Sequence, residues 1–586
     1  NYANEIEVFM LKMVSFLITV FFILVSKLSY ADFKEVKIQT VPVTQSGKYK
    51  PDYIWWKNER AKRQKNLDDY MKKHKNEVYW FNYYPVGYSG VPAIIFRMFK
   101  DVFPEMWGKN YVKDLGLIED KWGDRPIFPL GLSWGRGSKQ LTSLPGLNKL
   151  RVMVVNFTCV GCHSAQVVGP KGKTHLLIGA PSTTLDVLKY RANLVKTLED
   201  PRWNFETFKK VLAKKPKGWL YKKKRYLPQE ILDTKVFEKK GDLIMKAIKD
   251  KVIGETERIY GYLGKLYKIK GTYNPGNNKK YYELNKNNLL LGGAPGQLEA
   301  FGIATAKLAP WVNGKPDMSA FGKNMFFGKG PAFVDIMSVW NQKDREYAQW
   351  DGNLKGKLTR NLGAELGVIG SSDLVNFKNG KLTTKFVENL PSPPYLWDVD
   401  KAKADRGKKI FNKACLKCHG RGKFIPLKLV GTDPNRAIGL PKKATDVLRS
   451  NLRKTCKDQG DPECRIPDND LVYPRWKKPG YTAQILDGIW ARSPYLHNGS
   501  VPTLYHMLVP KERPKTFWRG NLKYDPEKVG YQFKNKQRKY GTAIYDTAVN
   551  GRSNRGHEDI KVFFGGIDFS KDVKKREDLL EYLKTL

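Results

Sequence analysis

Two cysteines separated by two residues and followed at once by a histidine stand at Cys159, Cys162 and His163, and this unit constrains the chain more than any other feature. Its spacing is that of covalent haem attachment, in which two thiols add to the vinyl groups of one porphyrin and the histidine lies under the iron as an axial ligand. The same unit recurs at residues 415–419. The sequence therefore predicts two covalently attached haem c groups.

The second unit consists of Cys415, Cys418 and His419, and an amphipathic helical turn leads into it. Two other kinds of site use paired cysteines. A zinc ribbon needs two Cys-x-x-Cys pairs that converge on one metal, and a thioredoxin-type redox pair needs no trailing histidine. Haem attachment accounts for both units better than either alternative.

The chain is strongly basic, with 104 Lys and Arg against 58 Asp and Glu and a formal net charge of +46 over 586 residues. A positive field of this size favours acidic partners or anionic surfaces. The lysines are spread along nearly the whole chain and no nucleic-acid-binding module is recognisable, so we expect no nucleic acid partner. An acidic electron-transfer protein or the anionic face of a membrane fits the haem prediction better.

Two further features predict export. Cys456 and Cys464 flank a short turn-rich loop that is typical of a disulfide, and disulfides persist in oxidising compartments. Residues 1–31 resemble a signal peptide, with Lys12, an apolar run too short for a confident membrane span, and small residues before Asp32. An uncleaved anchor is the alternative, and residues 1–9 precede Met10 as a possible over-extended start. We expect a periplasmic or secreted protein.

The predicted fold is mainly α, with two c-type cytochrome domains, extended loops and a basic helical insertion. Helices are predicted at residues 58–75 and 358–367 and, from helical periodicity, at 243–266, and residues 292–301 are predicted to open a further helix. The predicted parts are a signal peptide at 1–31, a wrapping segment at 32–150, a first haem domain at 151–390 with a lysine-rich insertion at 201–290, and a second haem domain at 391–586.

An iron bound by one histidine needs a sixth ligand, a water molecule or an empty position. For the second haem the candidate ligands are His497, His506, Met507 and His557, of which only one can serve. For the first haem the candidate is His175, which is equally consistent with a plain histidine at a strand edge.

Several motifs outside the haem-attachment units are distinctive. They are Gln-Trp-Asp-Gly-Asn at 349–353, Arg-Asn-Leu-Gly at 360–363, Tyr-Leu-His-Asn-Gly-Ser within 487–504 and Ser-Asn-Arg-Gly-His-Glu at 553–558. Together with the second haem segment they resemble the secreted diheme c-type cytochromes related to rubber oxygenase. A more distant resemblance is to the bacterial diheme cytochrome c peroxidases and to the diheme enzyme that matures methylamine dehydrogenase. The likeness covers most of the chain from about Gly87 onward.

The resemblance implies a role for individual residues. It makes His557 the distal ligand of the second haem and leaves the haem on His163 with an exchangeable position. Trp350 resembles the tryptophan that lies between the two haems of the peroxidases, although a packed core tryptophan fits the pattern equally well. His497 resembles a haem-neighbouring histidine that hydrogen bonds instead of ligating, and Glu365 is a candidate acid/base carboxylate for breaking a peroxide O–O bond.

Two functional hypotheses follow. The first is a haem-dependent oxidoreductase of oxygenase or peroxidase type, in which the first haem activates dioxygen or hydrogen peroxide and the second transfers electrons. The alternative is a non-catalytic diheme electron carrier that docks acidic redox partners. The two differ in whether the iron on His163 keeps an open position.

Overall fold

The computed structural model describes residues 54–120 except 89, 128–136, 152–266, 294–299, 311–312, 315–316 and 331–586, the last range with gaps at 370–374, 421, 440–441, 460–463, 465, 468–469 and 471–477. The predicted signal peptide lies outside the described residues. Within them, no helix combines the length and the apolar character that a membrane span requires.

Helices are the main regular element of the described chain. Several begin with an Asp or Asn whose side chain accepts a hydrogen bond from the backbone N–H three residues later, as at Asp186, Asn204 and Asp400, which satisfies a donor that the helix leaves unpaired. The longer helices are Ile54–Lys73, Lys75–Tyr83, Ala93–Val102, Val187–Glu199, Phe205–Ala213, Leu227–Leu266, Lys357–Ile369, Phe377–Glu388, Lys401–Ala414, Lys442–Gln459 and Val573–Leu583. The short α-helices are Pro104–Trp107, Tyr111–Asp114, Cys159–Cys162, Leu416–His419, Leu427–Val430, Asn435–Ile438, Leu504–Leu508 and Ile560–Phe563.

The described strands form small antiparallel sheets between the helices. One sheet has three strands, with Met153–Phe157 between Val91–Pro92 and Leu132–Arg136. The paired strands are Ser164–Val168 with Thr174–Ile178, Gln297–Glu299 with Phe333–Asp335, Trp311–Val312 with Lys315–Pro316, Tyr347–Ala348 with Leu354–Lys355, Phe424–Pro426 with Gly480–Thr482, Thr516–Arg519 with Ala543–Asp546, and Tyr524–Asp525 with Gly530–Tyr531.

One apolar cluster connects the two haem-attachment units. It runs from Trp56 near the start of the described chain to Leu583 near its end, and Cys159, Cys415 and Cys418 pack against it. Both units therefore border a shared core, although 256 positions separate Cys159 from Cys415 in the sequence.

The helix before the second unit is fixed by the C-terminal helix. At Gly407 in Lys401–Ala414 a Cβ atom would lie 1.9 Å from the Asp578 carbonyl oxygen, so only glycine permits this approach. The neighbouring Arg406 donates two hydrogen bonds to the Asp578 carboxylate, at 2.8 and 2.7 Å. This contact fixes the position of the helix that leads into the turn carrying Cys415 and Cys418.

The periodic segments fold largely as predicted. Helix Ile54–Lys73 covers most of the predicted 58–75, helix Lys357–Ile369 contains 358–367, and helix Leu227–Leu266 contains 243–266. The prediction for residues 292–301 is wrong where the structure describes them, because Gln297–Glu299 is a strand that pairs with Phe333–Asp335. Glu299 is also bonded to the Ala332 N–H at 3.0 Å, a tertiary contact that overrides the local helical pattern.

Candidate functional site

The first attachment unit is one turn of helix between two strands. Cys159–Cys162 forms the turn after strand Met153–Phe157, and the His163 N–H closes it by donating to the Cys159 carbonyl at 3.0 Å. Side chains three positions apart lie on the same face of a helix. The turn therefore directs both thiols to one side, as attachment to a single porphyrin requires.

The ring of His163 is oriented by a backbone carbonyl. Its Nδ1 lies 3.0 Å from the Met337 carbonyl oxygen, so Nδ1 carries the proton and Nε2 keeps its lone pair. Burial lowers the pKa of His163 to about 4, which holds the ring neutral near neutral pH. A neutral imidazole whose far nitrogen bonds a carbonyl is the usual form of a metal-ligating histidine.

The second unit repeats this arrangement on a different scaffold. Helix Lys401–Ala414 leads into the turn Leu416–His419, and the His419 Nδ1 lies 2.7 Å from the Gln484 carbonyl oxygen. Burial again lowers the pKa of His419. Both units therefore offer two thiols and a neutral imidazole with a free Nε2 lone pair.

A large cavity opens beside the second unit. Its atom-free space is about 1500 Å³, part of it open to solvent, and its walls are mainly apolar. An apolar wall that also carries two thiols and an imidazole is the lining that a covalently attached porphyrin requires. Residues along the wall include Cys415, Cys418, His419, Val430, Leu496, Met507, His557 and Phe563.

His557 faces His419 across this cavity. Their ring centroids are 6.3 Å apart, and the planes differ by 48°. A metal–nitrogen bond of about 2 Å on each side, added to the radius of each ring, separates two axial imidazoles by about 6 Å between centroids. The spacing of the two rings thus matches a metal held between them.

The backbone at His557 is held in an unusual conformation. Its φ is +57°, in the left-handed region that residues other than glycine rarely adopt, and its N–H donates to the Val430 carbonyl at 2.8 Å. Such a conformation costs about 1 to 3 kcal/mol and is concentrated at functional positions. Burial lowers the pKa of His557 to about 3, so the ring is neutral.

The thiols do not fit the two alternatives to haem attachment. Burial raises the pKa of Cys159 to about 12, of Cys162 to about 11 and of Cys415 to about 12, whereas redox-active cysteines have lowered pKa values. Within the part of the chain that the structure describes, no three His, Cys, Asp or Glu side chains converge as a metal site requires. The predicted disulfide between Cys456 and Cys464 is present, with Cα atoms 4.9 Å apart.

The other predicted ligand candidates have different surroundings. His497 stacks on Tyr481 at 4.2 Å between centroids, and its Nε2 lies 3.2 Å from the Tyr481 hydroxyl. His506 bonds Thr503 at 2.7 Å through Nδ1, which places it in a helix-capping contact. Met507 also lines the cavity, but it has no ring that could face that of His419.

His175 does not lie opposite His163. It pairs with Val167, three pairs along the hairpin from the Ser164–Ile178 pair that adjoins His163. At about 3.3 Å per residue this is about 10 Å along the strands. The buried ring packs instead beside Gly169, where an added Cβ would lie 2.9 Å from its Nε2. The structure thus favours the plain strand histidine over the ligand.

Acid is expected to destabilise the protein through His497. Burial lowers its pKa from 6.5 to about 3, so the folded state holds the ring neutral while the unfolded chain protonates it. A lowered histidine pKa contributes stability that is fully present above the unfolded pKa and is lost as the pH falls toward the folded one. We expect His497 to account for a loss of about 3 kcal/mol by about pH 4. Urea unfolding at several pH values should show a flatter pH dependence in His497→Gln and a smaller change in His74→Gln, whose ring is only partly buried.

One short segment, residues 335–337, touches both sites. The Met337 carbonyl orients His163, and two residues earlier the Asp335 carbonyl accepts a hydrogen bond from the Trp350 Nε1 at 2.9 Å. The Asp335 N–H donates to the His497 carbonyl at 2.7 Å. Trp350 and Met337 also line the cavity of the second unit. The segment therefore connects the proximal histidine of the first unit to the wall of the second.

A buried ion pair anchors this segment. The Asp335 carboxylate accepts a hydrogen bond from the Arg519 guanidinium, and both residues are almost fully buried. Gly499 packs against the pair with φ +63°, and a Cβ there would lie 2.4 Å from the Arg519 Nη1. Any side chain at the glycine of the Tyr-Leu-His-Asn-Gly-Ser motif would therefore collide with this ion pair.

Glu365 lies beside the first unit. Its Oε1 accepts a hydrogen bond from the Asn379 Nδ2 at 3.3 Å, and the same amide lies 3.7 Å from the Cys159 Sγ. Its Oε2 is buried without a hydrogen-bond partner among the described residues. Burial raises the pKa of Glu365 well above its usual range. Glu365 is thus a buried carboxyl with a raised pKa, close to the first attachment unit.

Several residues of the two sites were missed from the sequence. The Met337 and Gln484 carbonyls that orient the histidines belong to the backbone, so no side-chain type signals them. Tyr481, which stacks on His497, and Asn379, which bridges Glu365 and Cys159, are distant in sequence from their partners. The one sequence signal for this bridge is that Asn379 lies on the helix that follows Lys357–Ile369, the helix that contains Glu365.

Comparisons with known proteins agree with parts of this geometry. A family model described as RoxA-like, cytochrome c-like matches residues 480–519, which include His497 and the Gln484 carbonyl. A Y4iN-like domain model matches residues 77–163 and ends on the first attachment unit. The cytochrome c-like match implies covalently bound haem c and indicates a redox role, and the resemblance to rubber-oxygenase-type cytochromes is supported over this short region.

Two relatives come from Sinorhizobium fredii. The uncharacterized protein y4iJ is 49% identical over 109 residues, which cover 18% of each chain. The uncharacterized protein y4iM is 37% identical over 302 residues, which cover 47% of this chain and 70% of y4iM. The chain belongs to the family of y4iM.

Proposed function

We propose that the chain is an exported oxidoreductase with two haem c groups, one on His163 and one on His419. The first would act on dioxygen or hydrogen peroxide, and the second would transfer electrons. The observation that carries the proposal is the difference between the two sites, since a second imidazole faces His419 and none faces His163 in the described part of the chain.

The remaining histidines support this difference. Each has a partner away from His163, and none of these partners belongs to the first attachment unit. His74 stacks on Tyr70, His175 packs at Gly169, His497 stacks on Tyr481, His506 bonds Thr503 and His557 faces His419. An iron on His163 would thus keep a position for a small oxidant, whereas an iron between His419 and His557 could only change its charge.

Bound haem would supply the iron chemistry, and the protein would supply orientation and protons. The Met337 carbonyl holds His163 in the tautomer that ligates through Nε2. Glu365 holds a proton on a buried carboxyl beside Cys159, from which it can pass to a leaving oxygen. Trp350 lies where an aromatic ring can relay electrons between the sites, because its indole bonds Asp335, two residues from the carbonyl that orients His163.

The proposed location is the periplasm or the extracellular space. The disulfide between Cys456 and Cys464 supports it, because such bonds persist in oxidising compartments. The signal-like residues 1–31 point the same way. An acidic redox protein is the partner class that fits the net charge of +46.

Carbon monoxide tests the proposal directly. It binds ferrous haem that has an open axial position, so spectra of the reduced protein should shift for one haem of two. A shift in neither haem would leave the alternative, a carrier with both irons saturated. The protein for this experiment should be exported from a host that attaches haem c. Pyridine haemochrome spectra then count the haems.

Removing His557 is expected to open the second haem. Because His557→Ala deletes the ring that faces His419, carbon monoxide should bind two haems in this variant instead of one. His497→Gln is the matched control, since His497 lies in the same cavity and bonds Tyr481 instead. If the control gained the second binding event and His557→Ala did not, the ligand assignment would be reversed.

A further inference from the structure

Three exposed apolar side chains lie on short helices whose neighbouring residues line the cavity of the second unit. Leu416 is 45% exposed, Leu429 is 45% exposed and Ile560 is 36% exposed. Each lies on a short helix that borders the cavity, namely Leu416–His419, Leu427–Val430 and Ile560–Phe563. We call these three side chains and their surroundings the cavity rim.

The three short helices form one continuous rim. The His557 N–H donates to the Val430 carbonyl at 2.8 Å, which joins the second helix to the segment before the third. A Cβ at Gly565 would lie 3.3 Å from the Ala414 Cβ, which joins the third helix to the start of the attachment turn. The three exposed side chains therefore lie on connected segments, each of which contributes residues to the wall of the cavity that contains His419 and His557.

Lysines surround this apolar patch. They are exposed, and none of them forms an ion pair with another described residue. They are Lys413, Lys417, Lys423, Lys428 and Lys561. The acidic groups nearby are engaged, since Glu558 pairs with Arg513 at 3.2 Å and Asp559 accepts a hydrogen bond from the Val562 N–H at 2.9 Å. The rim is thus apolar in the middle and positive at its edge.

The geometry points to the cavity rim as the docking surface for an acidic electron-transfer protein with an apolar contact patch. This inference rests on the proposed function, because it makes the haem on His419 the point of electron exchange. A haem held by His419 and His557 would supply the redox centre, and one electron would be exchanged between it and the redox centre of the partner, so that one is oxidised as the other is reduced.

The charge and the apolar patch have separate roles in such a contact. Complementary charges raise the rate of encounter by factors of about 10 to 1000 and weaken with salt. An apolar centre excludes water from the contact, while the small size of the patch favours rapid release, as in transient redox complexes. The surface would thereby bring a partner close to the wall of the cavity that contains His419.

The lysine-rich helix Leu227–Leu266 is the obvious competitor. It also exposes lysines and three apolar side chains, Ile231 at 46% and Leu232 and Leu243 at 41% each. However, it packs against helices Val187–Glu199 and Phe205–Ala213 and contributes nothing to the cavity wall. It therefore serves as a matched control for charge.

Binding of oxidised plastocyanin, an acidic copper protein, tests the inference. The rim variant is Lys413→Glu, Lys428→Glu and Lys561→Glu, and the control variant is Lys239→Glu, Lys246→Glu and Lys249→Glu. At low ionic strength, calorimetry should show that the rim variant weakens binding about tenfold and that the control changes it by less than about twofold. The variant Leu429→Ser with Ile560→Ser should weaken binding while leaving its salt dependence unchanged.

Two results would overturn the inference. Equal weakening by the rim and control variants would mean that only net charge matters. The rim would instead be a membrane contact if the protein bound phosphatidylserine vesicles but not plastocyanin, and if the rim variant abolished the binding to vesicles. Failure of this inference can be distinguished from failure of the proposed function by absorption spectra. The proposed function requires that every variant contain a second haem with two axial imidazoles.

Discussion

Replacing Cys159 and Cys162 together with serine is expected to lower the haem content from two covalently bound groups per chain to one. The serine hydroxyl does not form the thioether that a cysteine forms with a vinyl group, so His163 alone would have to retain the porphyrin. Denaturing gels stained for haem and pyridine haemochrome spectra measure the change. The remaining haem should be the one that does not bind carbon monoxide, so the variant should also lose the carbon monoxide shift.

The disulfide provides the matched control for this experiment. Cys456→Ser with Cys464→Ser removes the same number of thiols from the chain, but the bridge lies outside both attachment units. This variant should keep two haems. A complementary variant, Cys415→Ser with Cys418→Ser, should keep the haem that binds carbon monoxide. Two haems in the Cys159/Cys162 variant would contradict the first attachment site.

The sequence predicts the attachment units because their chemistry is local. Two thiols and an imidazole within five residues carry the whole signal, and the structure adds only the carbonyls that orient the rings. The helices around residues 58–75 and 358–367 were also predictable: the first consists mainly of good helix formers such as Lys, Arg and Gln, and the second carries an apolar face. For these elements the tertiary structure agrees with the local preference.

Relations between distant segments could not be predicted. Strand Gln297–Glu299 forms because it pairs with Phe333–Asp335, and a local helical pattern carries no information about that partner. The same holds for the Met337 carbonyl at His163. The four candidate ligands for the second haem were equivalent by residue type, and only their placement distinguishes His557, which faces His419. Which candidate faces His419 thus depends on contacts between residues far apart in the sequence, and local sequence patterns do not encode such contacts.

Replacing Glu365 with glutamine is expected to slow hydrogen peroxide reduction by about 100-fold or more, the usual contribution of a general acid or base. Glutamine keeps the size of the side chain and the hydrogen bond from Asn379, but it has no proton to transfer. Because burial raises the pKa of Glu365, the wild-type rate should fall as the pH rises through that raised pKa and the carboxyl loses its proton. The variant should lack this decline.

Stopped-flow consumption of hydrogen peroxide by the reduced protein measures this effect, with carbon monoxide spectra to show that the first haem remains open. Glu388→Gln is the control, because Glu388 pairs with Lys357 at the end of the next helix, away from Cys159. Slowing only in Glu365→Gln would assign the proton to this carboxyl and favour peroxide as the oxidant. An unchanged rate would reduce Glu365 to a packing role and leave dioxygen, whose binding requires no protein acid, as the stronger candidate.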